Sequence, residues 1–489
     1  MTVNDHILAA LDSDMTSDAA AQMTQLVVDY LASTRDATNP VSTQLTSAQI
    51  AARFDEPLPL DGAPLETVIA RLRDDVIADA NHLYHPRAVG HQVSPPLPAA
   101  IWTESVIAAL NQSVAVAEMS PTATMMEHRV IRWMCDLVGY GAASGGTLTS
   151  GGTEATLTAL LAARSATIPD VWINGVGANP PVIVCGEHTH YAVSRAAGEL
   201  GLGMRNVITV PSRDWRMNTD ALLATLDQLA RDGRTVMAVV ATAGSTATGS
   251  FDDLETIGAL CNARGHWLHV DGAHGASALL SAKHRTRLRG LERARSIAWD
   301  PHKMMLIPLA AGLLLVRDEP DLENAFSQRA PYLFHSGEGE RVLDQGIRSF
   351  QCSRRADVIK LWVALQRYGA NGIGALYDRL CDTTMAMHDM LVAHPSFVVL
   401  HSPEGNILCF RWVGDGTLDE QALDVRNREL RERYNRSGEG WITATNLNGR
   451  RVLRVTVMNP RTTTRDVRAI VEGLEREARR PTGAVMPTL

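Results

Sequence analysis

The chain is short of aromatic residues and has no excess of positive charge. Phe, Trp and Tyr make up 5% of the 489 residues, and 46 Lys and Arg residues stand against 54 Asp and Glu, which gives a net charge of −8. A surface that binds nucleic acid usually has a basic excess and aromatic rings that stack on bases. Both shortages therefore argue against a nucleic-acid partner.

Paired cysteines and long apolar runs are also missing. The six cysteines are far apart and include no Cys-x-x-Cys pair, which is typical of reduced thiols rather than a disulfide framework. No stretch approaches the ~18 consecutive apolar residues of a membrane span. The acidic N-terminus is unlike a secretory signal. We therefore expect a soluble, cytoplasmic protein with no membrane segment.

The length and the changes in pattern along the chain predict three parts. Residues 1–80 have polar helical patterns that cannot form a core alone, so this segment must pack on the main body or on a partner subunit. Residues 81–365 form the large domain, and residues 366–489 read as a small α+β domain that ends in a helix.

The large domain has the pattern of an α/β fold. Short apolar runs read as buried strands, and helical patterns separate the first three of them. Such alternation predicts a mainly parallel central sheet covered by helices on both faces. The runs are Pro181–Cys185, Val236–Val240, Trp267–Val270 and Gly312–Val316.

A glycine-rich turn precedes an apolar helical stretch at Thr149–Ala155, which reads TSGGTEA. Glycines let the backbone approach an anion, and a helix N-terminus offers free N–H groups, so the turn can bind a phosphate. Such turns are common, and this one is not a P-loop because no Gly-Lys-Ser/Thr follows it.

Two further motifs carry ionisable groups. Asp271 ends a predicted strand in LHVDGAHGA, where a carboxylate faces the ligand crevice of a parallel sheet, or else caps a helix. Lys303 closes the motif Asp300-Pro-His-Lys and precedes four apolar residues. Such a lysine is partly desolvated and nucleophilic, although a structural lysine with an exposed amine fits equally well.

Together, a phosphate loop, a strand-end aspartate and a desolvated lysine are the parts that hold pyridoxal phosphate (PLP). TSGGTEA, LHVDGAHGA and DPHK, in this order, resemble the group II PLP-dependent amino-acid decarboxylases. The resemblance runs from about His85 to the C-terminal helix. It implies fold type I, which is aspartate-aminotransferase-like, and an enzyme that removes the carboxylate of an amino acid as carbon dioxide.

The resemblance assigns the cofactor site residue by residue. Lys303 matches the lysine that binds the cofactor covalently, and Asp271 matches the partner of the pyridine nitrogen. Asp300 departs from the Asn of some relatives, and a carboxylate near a phosphate would repel it. The other matching positions are ring, phosphate or hydroxyl contacts, namely Gly152, Thr153, His190, Thr246, Ala273, His302 and Ser353.

Reaction type and substrate depend on other positions. Tyr332 matches a loop tyrosine that returns a proton to Cα, a role that His302 could share. The resemblance also places four residues at the substrate, namely Arg87, His91, Gln92 and Arg454. Relatives that act on aromatic amino acids tend to carry more aromatic residues there, so we expect a small polar or acidic substrate.

Several alternatives stay open at this point. An aldehyde synthase, in which oxygen intercepts the reaction, often lacks the loop tyrosine, and an aromatic amino-acid decarboxylase or an aminotransferase would share the fold. A non-catalytic metal-binding protein is more remote, because the histidines lack the usual ligand spacing. They are His188, His190, His266, His269 and His274. The resemblance implies a homodimer in which the N-terminal helices are exchanged.

Overall fold

The computed structural model describes residues 3–35, 39–326 and 344–480. The helices of these ranges are α1 (Val3–Asp14), α2 (Ser17–Ser33), α3 (Ser47–Arg53), α4 (Leu65–Arg71), α5 (Pro98–Leu110), α6 (Pro121–Val138), α7 (Gly152–Thr167), α8 (Val171–Asn174), α9 (Ala192–Glu199), α10 (Thr219–Arg231), α11 (Leu254–Arg264), α12 (Pro320–Glu323), α13 (Val358–Val392), α14 (Glu420–Arg436) and α15 (Thr464–Arg479). The strands are β1 (Gly145–Thr149), β2 (Val182–Gly186), β3 (Val207–Val210), β4 (Ser212–Arg213), β5 (Arg216–Met217), β6 (Val236–Thr242), β7 (Trp267–Asp271), β8 (Ser296–Trp299), β9 (Gly312–Val316), β10 (Phe397–Val399), β11 (Ile407–Trp412), β12 (Thr443–Leu447) and β13 (Arg450–Thr456).

The central sheet has seven strands in the order β1-β9-β8-β7-β6-β2-β3. The four pairings from β8 to β3 are parallel, whereas β9 is antiparallel to both β8 and β1. The predicted mainly parallel sheet is therefore confirmed. All four apolar runs that the sequence marked as strands belong to it.

The sheet is buried because its strands are apolar on both faces. Helix α7 packs on β2 and β6 with Leu160 and Leu161 against Ile183, Met237 and Val240, all at most 2% exposed. Burial of each such side chain contributes roughly 1.5–3 kcal/mol. This packing fixes the N-terminal end of α7 beside the strand ends.

Two compact units account for the described chain. One contains residues 92–385 and 401–408, and with them the whole seven-stranded sheet. The other contains residues 1–91, 386–400 and 409–489, and most of a four-stranded sheet in the order β10-β11-β13-β12. The division into 1–80, 81–365 and 366–489 stays a prediction. Within the described ranges, no helix is long and apolar enough to cross a membrane.

His269, on β7, links the sheet to α7 from inside the core. Its ring is fully buried between the hydroxyls of Ser296 at 2.9 Å and Thr156 at 3.4 Å. Burial lowers the pKa of His269 from 6.5 to about 3, since the charged ring cannot be solvated there. The folded protein therefore keeps this ring neutral in mild acid.

Acid should destabilise the fold through His269. Between its folded and unfolded pKa values only the unfolded chain binds the proton, so stability is lost as the pH falls from 6.5 towards 3. Because only the unfolded chain binds this proton, we expect the free energy of unfolding to fall by about 2 kcal/mol between about pH 7 and pH 5. Urea unfolding at both pH values should show that the free energy of unfolding falls less in H269Q than in the wild type. An equal loss in both proteins would refute the assignment.

Candidate active site

The motifs of the sequence meet at one edge of the central sheet. Strands β2, β6, β7 and β8 are parallel, and β1 points the same way, since both β1 and β8 are antiparallel to β9. Their carboxyl ends lead into Gly152, His190, Thr246, Asp271 and Lys303. Parallel sheets bind ligands at this edge.

Glycines keep the turn between β1 and α7 narrow. A Cβ atom on Gly152 would lie 2.7 Å from Ala273 Cβ and 3.1 Å from Asp300 Oδ2. On the other side, a Cβ atom on Gly312 of β9 would lie 2.5 Å from the Cα atom of Gly151. The turn is therefore packed between Ala273 and Asp300 on one side and β9 on the other. Without side chains on its glycines, its backbone N–H groups can approach an anion closely.

A carboxylate inside the motif secures the first turn of α7. Glu154 accepts a hydrogen bond from the backbone N–H of Ser150 at 2.7 Å and another from the Gln351 amide at 2.9 Å. Thr153 is half-buried beside it, whereas Ser353 is exposed. The sequence analysis missed Glu154, although a Glu in a first helical turn is a recognisable sign of backbone capping.

Asp271 ends β7 with its carboxylate buried. Its Oδ1 accepts the N–H of Ala273 at 3.2 Å. Burial raises the pKa of Asp271, while the charge of Lys303, the Ala273 N–H and His190 act in the opposite direction. A buried carboxylate is stabilised in its charged form by a hydrogen bond from a cationic donor.

Lys303 forms an ion pair with the buried Asp300. Lys303 Nζ is 2.9 Å from Asp300 Oδ2, and His302 Nε2 is 3.4 Å from the same oxygen. His302 Nδ1 accepts the N–H of Ala311, so the neutral ring carries its proton on Nε2, which faces the carboxylate. Burial lowers the pKa of His302, against the opposing effect of Asp300.

His190 follows β2 and belongs to the same electrostatic cluster. Its Nδ1 accepts the N–H of Ala192 at 3.2 Å, and its ring lies 4.1 Å from that of Tyr191. Burial lowers the pKa of His190, and the charges of Asp271 and Lys303 also act on it. A neutral ring with apolar faces suits stacking on a flat ligand.

Thr246 lies further along the same edge, in the turn after β6. The turn is held by hydrogen bonds between the hydroxyls of Ser245, Thr248 and Ser250, at 3.0 Å and 2.7 Å. Thr246 itself is half-buried. The structure therefore places Thr246 in a turn at the edge where the other predicted residues meet, and its contact with a cofactor stays a prediction.

Arg354 supports the turn between β1 and α7 through strand β1. It is 4% exposed and pairs with Glu127, which is 1% exposed, at 2.7 Å. Arg354 also donates to the Leu148 carbonyl, and Glu127 accepts the Leu148 N–H. These hydrogen bonds hold strand β1 in place immediately before the turn that leads into α7.

A closed ring of charges follows in the same segment. Lys360 is fully buried and lies 2.9 Å from both Glu104 and Asp357, and Arg355 pairs with the same two carboxylates. Alternating charges in contact satisfy one another, which a buried ammonium group requires. The ring is structural and fixes the start of α13.

Three of the predicted substrate residues belong to the other unit. Arg454 is 7% exposed on β13, donates to Thr456 Oγ1 at 3.3 Å, and has no ion pair with a carboxylate of the described residues. His91 lies against the Trp441 ring, with 4.8 Å between centroids, and its pKa is lowered by desolvation, Arg454 and Arg431.

The remaining substrate predictions are spread over both units. Arg87 is half-buried in the same unit as Arg454. Gln92 belongs to the unit of the central sheet, and its buried amide nitrogen has no hydrogen-bond partner among the described residues. Tyr332 lies outside the described residues, so its role stays a prediction.

The histidines give no support for a metal centre. Among the described residues, no group of three or more His, Cys, Asp and Glu side chains could hold a metal ion. His269 is instead a core residue, and His274 is hydrogen-bonded to the Asn406 side chain at 2.7 Å.

Comparisons with known proteins agree with this geometry. A profile of the "pyridoxal-dependent decarboxylase conserved domain" matches residues 48–413. The L-2,4-diaminobutyrate decarboxylase of Rhizobium meliloti is 32% identical over 87% of this chain and 84% of its own. The cysteine sulfinic acid decarboxylase of Rattus norvegicus is 32% identical over 74% of this chain and 73% of its own.

A solved structure is similar over nearly the whole chain. It is the glutamate decarboxylase domain of a diaminobutyrate-pyruvate transaminase and L-2,4-diaminobutyrate decarboxylase from Vibrio parahaemolyticus. Its TM-score is 0.84 at 29% identity, and the match covers 94% of this chain and 95% of the other.

Proposed function

Because this chain belongs to the family of pyridoxal-dependent decarboxylases, we propose that it converts a small polar or acidic L-amino acid to the corresponding amine and carbon dioxide. The observation that carries the proposal is the cluster of Lys303, Asp271, His190 and the Gly152 turn at one sheet edge. PLP is the cofactor of this family, and the residues at the edge can be tested for their fit to it.

The site fits PLP on three counts. The glycine turn at Gly152 packs closely on Ala273, and the free backbone N–H groups at the N-terminus of α7 suit a phosphate. Asp271 offers a buried carboxylate that favours a protonated pyridine nitrogen. Lys303 offers a primary amine at the same edge.

Each residue of the site has its own proposed role in the reaction. When bound, PLP supplies an electron sink for the bond to the departing carboxylate. Lys303 would hold the cofactor and give up its place to the substrate amine, while Asp271 would keep a proton on the ring nitrogen. The neutral rings of His190 and His302 can stack or hold a proton at Nε2, and we propose that Tyr332 or His302 returns a proton to Cα.

An acidic substrate is favoured by the charges around Arg454. Its buried guanidinium would gain from an anionic partner, and His91 lies within the field of both Arg454 and Arg431. We propose that Arg454, with Arg87, His91 and Gln92, binds the substrate. The guanidinium groups of Arg454 and Arg431 would attract a carboxylate or sulfinate and repel the side-chain ammonium of diaminobutyrate.

Mass spectrometry of the products tests the function and the substrate together. The purified, PLP-loaded protein is offered aspartate, glutamate, cysteine sulfinate, diaminobutyrate, tryptophan and phenylalanine in turn. We expect amine and carbon dioxide from one of the acidic substrates. Preferred turnover of an aromatic amino acid would refute the substrate proposal, and preferred turnover of diaminobutyrate would refute the preference for an acidic substrate. An aldehyde with ammonia and peroxide would refute the reaction type.

The homodimer is also a proposal. Its support is the exposed apolar face of α1, where Ile7, Leu8 and Leu11 are each more than half exposed. A face of this kind favours a protein partner. Light scattering should give the mass of two chains, and a monomeric mass with full activity would contradict it. A cytoplasmic location stays a prediction from the cysteine pattern.

Gly152→Ala should weaken cofactor binding. The added methyl group would press on Ala273 and displace the turn proposed to hold the phosphate, so we expect affinity for PLP to fall about tenfold or more. Titration of the cofactor-free protein by absorbance measures this. Gly141→Ala is the matched control, because a Cβ atom there would meet nothing within 4 Å. Equal affinities in all three proteins would count against the phosphate turn.

A further inference from the structure

Asp300 is a buried carboxylate whose strongest contact is the lysine proposed to bind the cofactor. Its side chain is 2% exposed, and its Oδ2 lies 2.9 Å from Lys303 Nζ. Its Oδ1 is buried and has no hydrogen-bond partner among the described residues. The backbone on either side is fixed, because Asp300 N–H donates to the Ala273 carbonyl and Lys303 N–H donates to the Asp300 carbonyl.

The contact opposes the chemistry that Lys303 must perform. An ammonium nitrogen has no lone pair, so it must lose a proton before it can form a bond to an aldehyde carbon. A buried carboxylate at 2.9 Å holds this nitrogen in a charge-assisted hydrogen bond, which must break before the nitrogen can reach an aldehyde. Among the described residues, the other ionisable group beside this oxygen is His302, whose Nε2 lies 3.4 Å away and is a weaker donor because burial favours its neutral ring.

We propose that Asp300 is a positioning residue that retains Lys303 as an ion pair in the cofactor-free protein and so slows its capture of aldehydes. The inference rests on the proposed function, because it takes Lys303 as the residue that binds PLP. On capture, Lys303 gives one proton to Asp300 Oδ2 or to solvent. Its nitrogen then forms a double bond to the aldehyde carbon, and the carbonyl oxygen leaves as water with the two remaining amine protons.

The chain contains a matched pair that serves as a control. Asp357 and Lys360 have the same spacing of three residues and the same distance of 2.9 Å, but Lys360 is fully buried within its ring of charges. D357N removes one carboxylate from a lysine that the reaction does not use. The comparison of D300N with D357N therefore separates an effect on Lys303 from a general effect of losing a buried charge.

The first experiment measures capture rates by stopped-flow absorbance on cofactor-free wild type, D300N and D357N. The probes are PLP and pyridoxal, which has the same aldehyde but no phosphate. We expect D300N to capture both about tenfold faster, since the nitrogen no longer has to leave a charge-assisted hydrogen bond before it reacts. D357N should match the wild type.

Each other outcome overturns the proposal. Faster capture of PLP with unchanged capture of pyridoxal would mean that Asp300 acts by repelling the phosphate, since its Oδ2 also borders the space beside Gly152. Slower capture in D300N would make Asp300 a base that assists Lys303. Unchanged rates would mean that the ion pair does not limit capture.

The second experiment does not depend on PLP. The whole sequence contains three lysines, Lys283, Lys303 and Lys360, so trace labelling with acetic anhydride and peptide mass spectrometry resolves each one. In cofactor-free D300N, Lys303 should label about tenfold faster than in the wild type, with Lys283 and Lys360 unchanged. Equal labelling of Lys303 in both proteins would refute the inference.

Two provisions keep the tests decisive. If D300N does not fold, D300S removes the same carboxylate with a smaller side chain and carries the same expectations. If PLP does not bind at Lys303, reduction with borohydride would find cofactor on another residue in every variant. Such a result would refute the proposed function, whereas the labelling of Lys303 would still report on its ion pair with Asp300.

Discussion

Lys303→Ala should abolish decarboxylation, with a loss in kcat/KM of about 10⁴-fold or more. The variant keeps the Gly152 turn and Asp271 but lacks the amine proposed to hold the cofactor and to be displaced by the substrate amine. Steady-state kinetics with product detection by mass spectrometry measures the loss. Borohydride reduction should attach cofactor to the wild-type peptide that contains residue 303 and to no peptide of the variant.

The control for this substitution is Lys283→Ala. Lys283 is an exposed lysine paired with Asp382, and surface pairs of this kind contribute little. Its removal should leave kcat/KM within about twofold of the wild type. Substantial activity in K303A, with cofactor attached elsewhere, would overturn the assignment of Lys303.

Asp271→Asn should lower kcat by about 10²–10⁴-fold while PLP still binds. The buried carboxylate is proposed to keep a proton on the ring nitrogen, and a neutral amide cannot stabilise that charge. The size of the substitution is nearly conserved, so KM should change much less than kcat. Kinetics and the absorption spectrum of the bound cofactor measure the two effects.

Asp252→Asn provides the matched comparison for a buried carboxylate. Asp252 accepts the N–H groups of Met217 and Thr242, and burial raises its pKa to about 6. It has no proposed role in the reaction, so its substitution should lower the unfolding free energy and leave kcat of the folded protein within about twofold. A similar fall in kcat for both variants would mean that Asp271 acts through the fold alone.

Buried strands were the most predictable part of this protein. The run Gly312–Val316 is strand β9 without a change at either end. It is apolar at nearly every position, which signals a strand buried on both faces. Asp271 was found for the same reason, because the apolar run of β7 ends there and the parallel topology fixes the edge on which it lies.

Strand β1 had no comparable signal. Its sequence is Gly-Gly-Thr-Leu-Thr, and glycine is unfavourable in strands unless another group approaches closely. The reason for one glycine appears only in the fold, where a Cβ atom on Gly146 would lie 2.4 Å from the Leu314 carbonyl oxygen of β9. The local sequence pattern could not reveal that β1 pairs with a strand more than a hundred residues later in the chain.

Long-range polar contacts were missed for a similar reason. Gln351 meets Glu154 across 197 positions, and Arg354 meets Glu127 across 227. The resemblance named only Ser353 in this segment, as a cofactor contact, whereas Arg354 is buried and holds β1 in place. Asp300 was expected to conflict with a phosphate, and its ion pair with Lys303 became visible only in three dimensions.

The contact of Gly312 with Gly151 has a consequence for how this chain can change over evolutionary time. The first residue of β9 lies against the turn between β1 and α7 with no space for a side chain. The atoms it meets at position 151 belong to the backbone, which every amino acid has, so no substitution at 151 could make room for a side chain at 312. Position 312 should therefore remain glycine over evolutionary time, although the turn that constrains it lies 161 positions earlier in the chain.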